Sequence, residues 1–207
     1  MITVRKAQAS DCAFIAGIIL EAETSGAEIT SYEKMFRLPV NELQEIFSKA
    51  LETSPQGHAL TWRNFLIATE NEIPIAGLSA YVEGSNGDSS HLTTAVLMAS
   101  FPRKQLGDAF RFLRSHEEVS IPKTNHTLQL DCVATLPAHR GKGALRLLID
   151  AALQEAKNKN VAIADIQVWK KNASAIAAYE KLGFRVVMEK LSNSEEGNGK
   201  VLMQKEL

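Results

Sequence analysis

Three observations predict an α/β domain with a mixed, twisted central sheet of about seven strands and helices on both faces. The first is the stretch 128–157, which reads as an apolar strand, a basic glycine turn and an amphipathic helix. The second is another apolar strand, 163–169, directly after Asn158-Lys159-Asn160 breaks that helix. Two strands flanking one helix are parallel neighbours joined by a right-handed crossover. The third is a pair of apolar runs, 65–69 and 75–82, around the turn Glu70-Asn71-Glu72, which makes an antiparallel pair. Parallel and antiparallel neighbours in one chain require a mixed sheet.

The remaining elements follow in order. Residues 2–7 alternate as a short strand, and Ser10 is suited to cap a helix starting at Asp11, with Phe14, Ile15, Ile18, Ile19 and Ala22 on its apolar face. After the break Thr24-Ser25-Gly26, a second helix spans 41–51 with Leu43, Ile46, Phe47 and Ala50 inward, so two helices separate the first two strands. The turn cluster 84–88 ends the hairpin. Residues 89–127 exceed what a connection needs and form a helical insertion. One helix runs to Phe101 before Pro102, and another carries Leu106, Ala109, Phe110 and Leu113 at i, i+3, i+4, i+7. Their apolar faces must cover the substrate cleft, make a subunit contact or extend the core. Two last strands, 185–191 and 200–206, flank a polar loop, 192–199. The 207 residues form a single domain with a sizeable core.

A net charge of −1 gives no footprint for nucleic acid or a membrane surface. No apolar run reaches the length of a membrane span, and the first residues do not read as a signal peptide. Cys12 and Cys132, far apart in apolar contexts, read as reduced core thiols of a cytoplasmic protein. The histidines lack ligand spacing, so no metal is expected.

The chemistry concentrates in the strand–turn–helix unit. Leu145, Leu148, Ile149, Ala152, Leu153 and Ala156 mark one helix face, and Arg140, Gly141, Lys142 and Gly143 stand just before it. A helix start leaves backbone N–H groups without intrahelical partners and carries partial positive charge. Two glycines permit close approach, and two cations reinforce the site, so a phosphate or pyrophosphate fits there. A glycine turn without a ligand is the alternative. The spacing is neither a Walker loop nor a dinucleotide fingerprint. Along the strand, Leu128, Leu130, Cys132 and Ala134 should face one way and Gln129, Asp131 and Val133 the other. Asp131, a carboxylate in a central strand, needs a partner or water; it is suited to accept a proton from an acceptor ammonium or to order a loop. Cys132 has no neighbouring base to make it a nucleophile.

Arg140-Gly141-Lys142-Gly143-Ala144 together with Asn172, Ala175, Tyr179, Gly183 and Phe184 resembles the GNAT superfamily of acyl-CoA-dependent N-acetyltransferases. The first segment matches the pyrophosphate loop, with Leu145 where the family usually has glycine or alanine. The second matches Asn-x-x-Ala-x-x-x-Tyr-x-x-x-Gly-Phe in full. The resemblance implies acetyl transfer from acetyl-CoA to a primary amine by direct attack. It implies that the central strands splay around the pantetheine arm. Arg140, Gly141, Lys142, Gly143 and Ala144 would then hold the pyrophosphate, and the backbone of Val133, Ala134 and Thr135 would meet the pantetheine amide and thioester carbonyl. Tyr179, on the stripe with Ala175, Ile176 and Leu182, reads by itself as a core residue; the resemblance implies it as the acid for the departing thiolate. Asn172 reads first as a helix N-cap, with a contact to the coenzyme arm implied besides. Gly183 and Phe184 read as a helix end. Glu21, Glu23, Glu28 and Glu33 fall at the acceptor side by resemblance, as an acidic wall for a cationic amine or as a solvated helix face. The acceptor is a small-molecule or peptide amine: an amino acid, polyamine, antibiotic, peptide N-terminus or protein lysine. Monomer and homodimer both fit the sequence. A non-catalytic acyl-CoA sensor or interaction module is the other reading.

Overall fold

The computed structural model describes residues 1–24, 29–84, 88–192 and 199–207. The expected breaks and loops at 25–26, 85–87 and 193–198, and Glu28, lie outside them. One seven-stranded sheet organises the chain, in the order β1-β2-β3-β4-β5-β7-β6. β1 (Ile2–Lys6), β2 (Phe65–Glu70), β3 (Ile73–Val82) and β4 (Leu128–Thr135) pair antiparallel in succession. β4 and β5 (Ile163–Trp169) are parallel, and β7 (Gly199–Glu206) inserts antiparallel between β5 and β6 (Arg185–Leu191). The mixed sheet and the parallel crossover match the expectation.

One face of the sheet packs on α6 (Ala144–Asn158), through Leu148, Ile149, Ala152, Leu153 and Ala156, and on Tyr179 of α7 (Ala173–Lys181). The other face packs on α1 (Cys12–Thr24), α2 (Ser31–Phe36) and α3 (Val40–Thr53). Three helices, rather than two, therefore separate β1 and β2. The short α2 escaped the sequence pattern because it has too few turns for periodicity to show; a capping box defines it, with Thr30 Oγ1 accepting from Glu33 N–H and the Glu33 carboxylate accepting from Thr30 N–H. Ser10 is not a cap. A 3-10 turn, Ala9–Asp11, precedes α1, and Asp11 accepts from Gln8 N–H while pairing with Arg5.

The insertion extends the core. α4 (Asp88–Ser100) and α5 (Arg103–Ser115) bring Leu97, Phe101 and Ala109 into the α1-side core, where the Phe101 ring stacks on Phe36 at 3.5 Å. The expected α5 face is rotated. Gln105 and Ala109 are buried, whereas Phe110 and Leu113 point outward. The segment after α5 then returns across the sheet, where Ile121 C=O accepts from the Gln167 side chain.

β4 also departs from simple alternation. Cys132 has φ 50°, and the β3–β4 register shifts between Gly77 and Ser79. This extra residue is a β-bulge. Leu128 and Leu130 share the face toward α6, but Val133 joins that face while Cys132 and Ala134 turn toward α1. The expected grouping of Cys132 and Ala134 with the leucines fails because the bulge resets the period of two.

β4 pairs with β5 only at Leu128, Gln129 and Leu130; beyond them the strands part. The buried Asp165 carboxylate fastens the closed end of this split. It accepts from Thr127 Oγ1 (3.1 Å), Gln129 Nε2 (3.2 Å) and Gln204 Nε2 (3.0 Å), joining β4, β5 and β7. Removing it strands buried donors, at about 1–3 kcal/mol each. Asp165→Ala is expected to cost at least about 2 kcal/mol in urea unfolding; a midpoint unchanged from wild type would contradict this role.

Candidate active site at the split of the sheet

The split opens toward the turn that starts α6. Pro137–His139 forms a 3-10 turn, and Gly141 and Gly143 adopt φ of 76° and 89°, with Gly143 as the N-cap of α6. Left-handed backbone there requires glycine. A Cβ at either position would meet nothing within 4 Å, so this side of the turn is open to a ligand. The backbone N–H groups of residues 141–146 donate to no described residue. Unpartnered N–H groups at a helix start form an anion site.

The loop cations are tethered by carboxylates. Glu70 on β2 accepts from Lys142 Nζ (3.1 Å) and lies 3.0 Å from His139 Nδ1. The Lys142 hydrogen bond is the main influence holding the Glu70 carboxyl below its usual range. Arg140 ion-pairs with Glu21, and its Nε donates to Thr135 C=O at 3.3 Å. Val133, Ala134 and Thr135 belong to the stretch of β4 that pairs with β3 alone, so its other edge faces the split.

Tyr179 and Asp131 stand on opposite faces of the sheet. Tyr179 is buried in the α6-side core against Phe184, and no described residue hydrogen-bonds its hydroxyl. Burial raises its pKa, keeping the phenol protonated. Asn172 caps α7, its Oδ1 accepting from Ala175 N–H at 3.1 Å. Gly183 (φ 88°) closes the same helix, with Phe184 N–H donating to Tyr179 C=O. Asp131 accepts from Tyr81 Oη at 2.7 Å and from Lys123 Nζ at 2.6 and 2.8 Å. Burial alone would raise its pKa, but the Lys123 charge and these hydrogen bonds outweigh it and hold the carboxyl below its usual value.

The three described glutamates of the expected wall, Glu21, Glu23 and Glu33, go to separate places. Glu33 caps α2, Glu21 holds Arg140, and Glu28 lies outside the described residues. Glu23, in the last turn of α1, instead joins a titratable cluster with Asp131, Lys200, Tyr32 and Cys132. Burial raises its pKa against the opposing pull of Ser31 and Lys200. Burial likewise raises the Cys132 thiol well above its ordinary range, so it does not serve as a thiolate. Lys123, Tyr81 and Lys200 were not legible in sequence: each becomes a site residue only through non-local packing. Among the described residues no group of acidic, histidine or cysteine side chains is placed to hold a metal, and no helix is long and apolar enough to cross a membrane.

Two cavities flank this architecture. The larger, about 600 Å³, lies at the far end of the sheet among Lys6, Arg63, Leu128 and Lys159, away from the loop. The smaller, about 360 Å³, adjoins Lys200. The open N–H groups and the unpaired strand edge are at the split and not in the larger cavity.

A mixed sheet split beside a glycine-rich helix start defines an α/β domain in which an open strand edge leads to a set of unpartnered backbone N–H groups. The chain belongs to the acetyltransferase (GNAT) family, whose model matches residues 33–184. Its fold is similar to that of an N-acetyltransferase from Staphylococcus aureus Mu50, with TM-score 0.73 and 14% identity over 98% of this chain and 100% of the other. Similar too are yncA of Salmonella typhimurium, solved with its cofactor acetyl-CoA (TM-score 0.55, 19% identity, 100% and 94% covered), and the paia N-acetyltransferase of Thermoplasma acidophilum in complex with coenzyme A (0.55, 14%, 100% and 99%). No curated protein sequence matches the chain.

The Lys123–Asp131 pair makes a pH-dependent contribution to stability. A carboxyl with a lowered folded pKa stabilises fully above its unfolded value, about 3.9, and loses that contribution as pH falls through the folded value. Asp131→Asn leaves Lys123, only 14% exposed, without its counter-charge, at a cost of about 2–4 kcal/mol near neutrality. The gap between wild-type and variant urea midpoints should hold from pH 8 to about 5 and narrow below about 4. A gap that persists unchanged to pH 3 would contradict the pairing.

Proposed function

We propose that this protein transfers an acetyl group from acetyl-CoA to a primary amine by direct attack. The observation that carries the reading is the continuity of the split. An unpaired edge at residues 131–135 leads to unpartnered N–H groups at 141–146, and on the α7 side the ring of Tyr179 is buried while its hydroxyl bonds to no described residue. An acyl-CoA is long enough and carries the matching groups: a diphosphate for the loop, amides for the strand edge and a thioester for the tyrosine.

Gly141, Lys142, Gly143 and Ala144 would hold the pyrophosphate by backbone N–H groups, with Arg140 and Lys142 exchanging or sharing their carboxylate partners. Val133, Ala134 and Thr135 would offer backbone groups to the pantetheine and to the carbonyl oxygen as it gains charge. Asn172, already committed to its cap, would add at most a side contact to the coenzyme arm. In the transfer the amine nitrogen forms a bond to the thioester carbon and the carbon–sulfur bond breaks. Tyr179 gives its proton to the leaving sulfur. The ammonium proton needs an acceptor on the α1 face. Asp131, the expectation from sequence, is stabilised as a carboxylate by Lys123 and Tyr81 and is therefore a weak base. Glu23, raised by burial, is the better matched acceptor, and Asp131 then orders Lys123 and Tyr81 beside it.

The test is release of free thiol from acetyl-CoA across a panel of amines, with Tyr179→Phe as the variant. The ring and its packing persist while the proton is lost. Folding and coenzyme binding should stay near normal, and kcat should fall by at least about tenfold. A Phe variant with full kcat, measured where chemistry limits the rate, would leave the acid unassigned. Coenzyme binding without turnover of any amine would favour the sensor reading.

A further inference from the structure

The acceptor side of the split carries a pair of opposite charges that are not bonded to each other. Val201 and Met203 of β7 lie in the α6-side core, so Lys200 projects to the other face, beside its cross-strand partner Trp169. Its Nζ lies 4.6 Å from the Trp169 ring centroid, and no carboxylate of the described residues is within 4.0 Å of it. The 360 Å³ cavity beside it is lined by Leu113, Arg114, His116, Glu117 and Ser120, all from the insertion. His116 stacks on Phe112 at 4.0 Å and meets Trp169 edge-on, fixing this wall. Lys123, the other nearby ammonium, is already neutralised by Asp131. Lys200 and Glu23 are near enough to influence each other's ionisation.

We propose that the acceptor is a small amine that also carries a carboxylate, an amino acid or a close analogue, with that carboxylate held by Lys200 in the cavity made by the insertion. The proposal rests on the acetyltransferase reading and names its substrate class. A half-buried ammonium faced by an aromatic ring, with no carboxylate of the described residues within 4.0 Å, gains from a ligand that supplies one. Glu23, in the last turn of α1 on the same side of the sheet, would then meet the amino group, so that the two ends of a zwitterion meet opposite charges. A polyamine, or any acceptor with a second ammonium here, would meet Lys200 and Arg114 against the single carboxylate of Glu117 among the lining residues, a balance that disfavours it. The volume stands at the small end of ligand pockets, suiting a single amino acid. Burial depresses the Lys200 pKa, while Glu23 and Asp131 oppose this; a bound carboxylate would favour its charged form further.

Two measurements test this together. In the first, thiol release from acetyl-CoA is compared for glycine, L-methionine, L-phenylalanine and L-glutamate against their amides, decarboxylated amines and spermidine. For at least one amino acid, kcat/KM should exceed that of its amide by about tenfold or more. Lys200→Met should erase this ratio through KM. In the second, the N-acetyl derivative of the preferred amino acid and its amide are titrated calorimetrically into wild-type protein saturated with coenzyme A. The acid should bind about tenfold tighter, a result independent of turnover and of whether the variant folds. Equal use of amides and acids, or preference for spermidine, would overturn this proposal and leave the acetyltransferase reading standing. Coenzyme binding with no thiol release from any amine would overturn that reading and this substrate class with it.

Discussion

The parting of β4 from β5 is the constraint on which the rest of the structure depends. Inside a sheet every strand edge is paired, and an unpaired backbone edge away from water is costly. This fold keeps one. Asp165 ties the closed end with hydrogen bonds from β4 and β7, and the bulge at Cys132 begins where pairing to β5 stops. The bulge turns the strand's outer half so that Asp131 and Cys132 both face α1. Beyond it, the strand runs directly into the glycine turn and the start of α6. Edge and helix start therefore form one continuous surface of unsatisfied donors and acceptors, and a single extended ligand can satisfy both.

The sheet also divides the proton chemistry. On the α6 side, burial keeps the Tyr179 hydroxyl protonated and no described residue bonds it. On the α1 side, three carboxyl groups in related surroundings have distinct roles. Glu21 anchors Arg140, Asp131 is locked to Lys123 and Tyr81, and Glu23 has its pKa raised by burial. Environment, not residue type, separates the anchor, the lock and the carboxyl proposed as base. The insertion adds to this face twice over: Phe101 fixes it to the core, and the return segment delivers Lys123 to Asp131.

Much of this was legible in the sequence, and the limits have physical causes. The α6 stripe, the parallel crossover, the Asn172 cap and the Gly183 helix end are local patterns set by spacing and backbone conformation, and they appear as read. The faces of β4 beyond Leu130 were misread because a bulge at cysteine leaves no glycine or proline to announce it. α5 was misoriented because its insertion packs on elements distant in sequence, which bury Gln105 in place of Phe110. Glu21, Glu23 and Glu33 looked like one cluster because they are close along the chain, yet a helix turn and a capping box send them to separate places. Asp165 carried a usable signal that went unread: like Asp131, it is a carboxylate in an apolar strand and needs partners.

The central claim is that the split and the glycine turn form one coenzyme groove. Amide hydrogen exchange with and without saturating coenzyme A tests it most directly. The account predicts protection concentrated in residues 131–135 and 141–146, with the larger cavity around Lys6, Arg63 and Lys159 unaffected. Protection centred on that cavity, with the glycine turn exchanging as before, would contradict it.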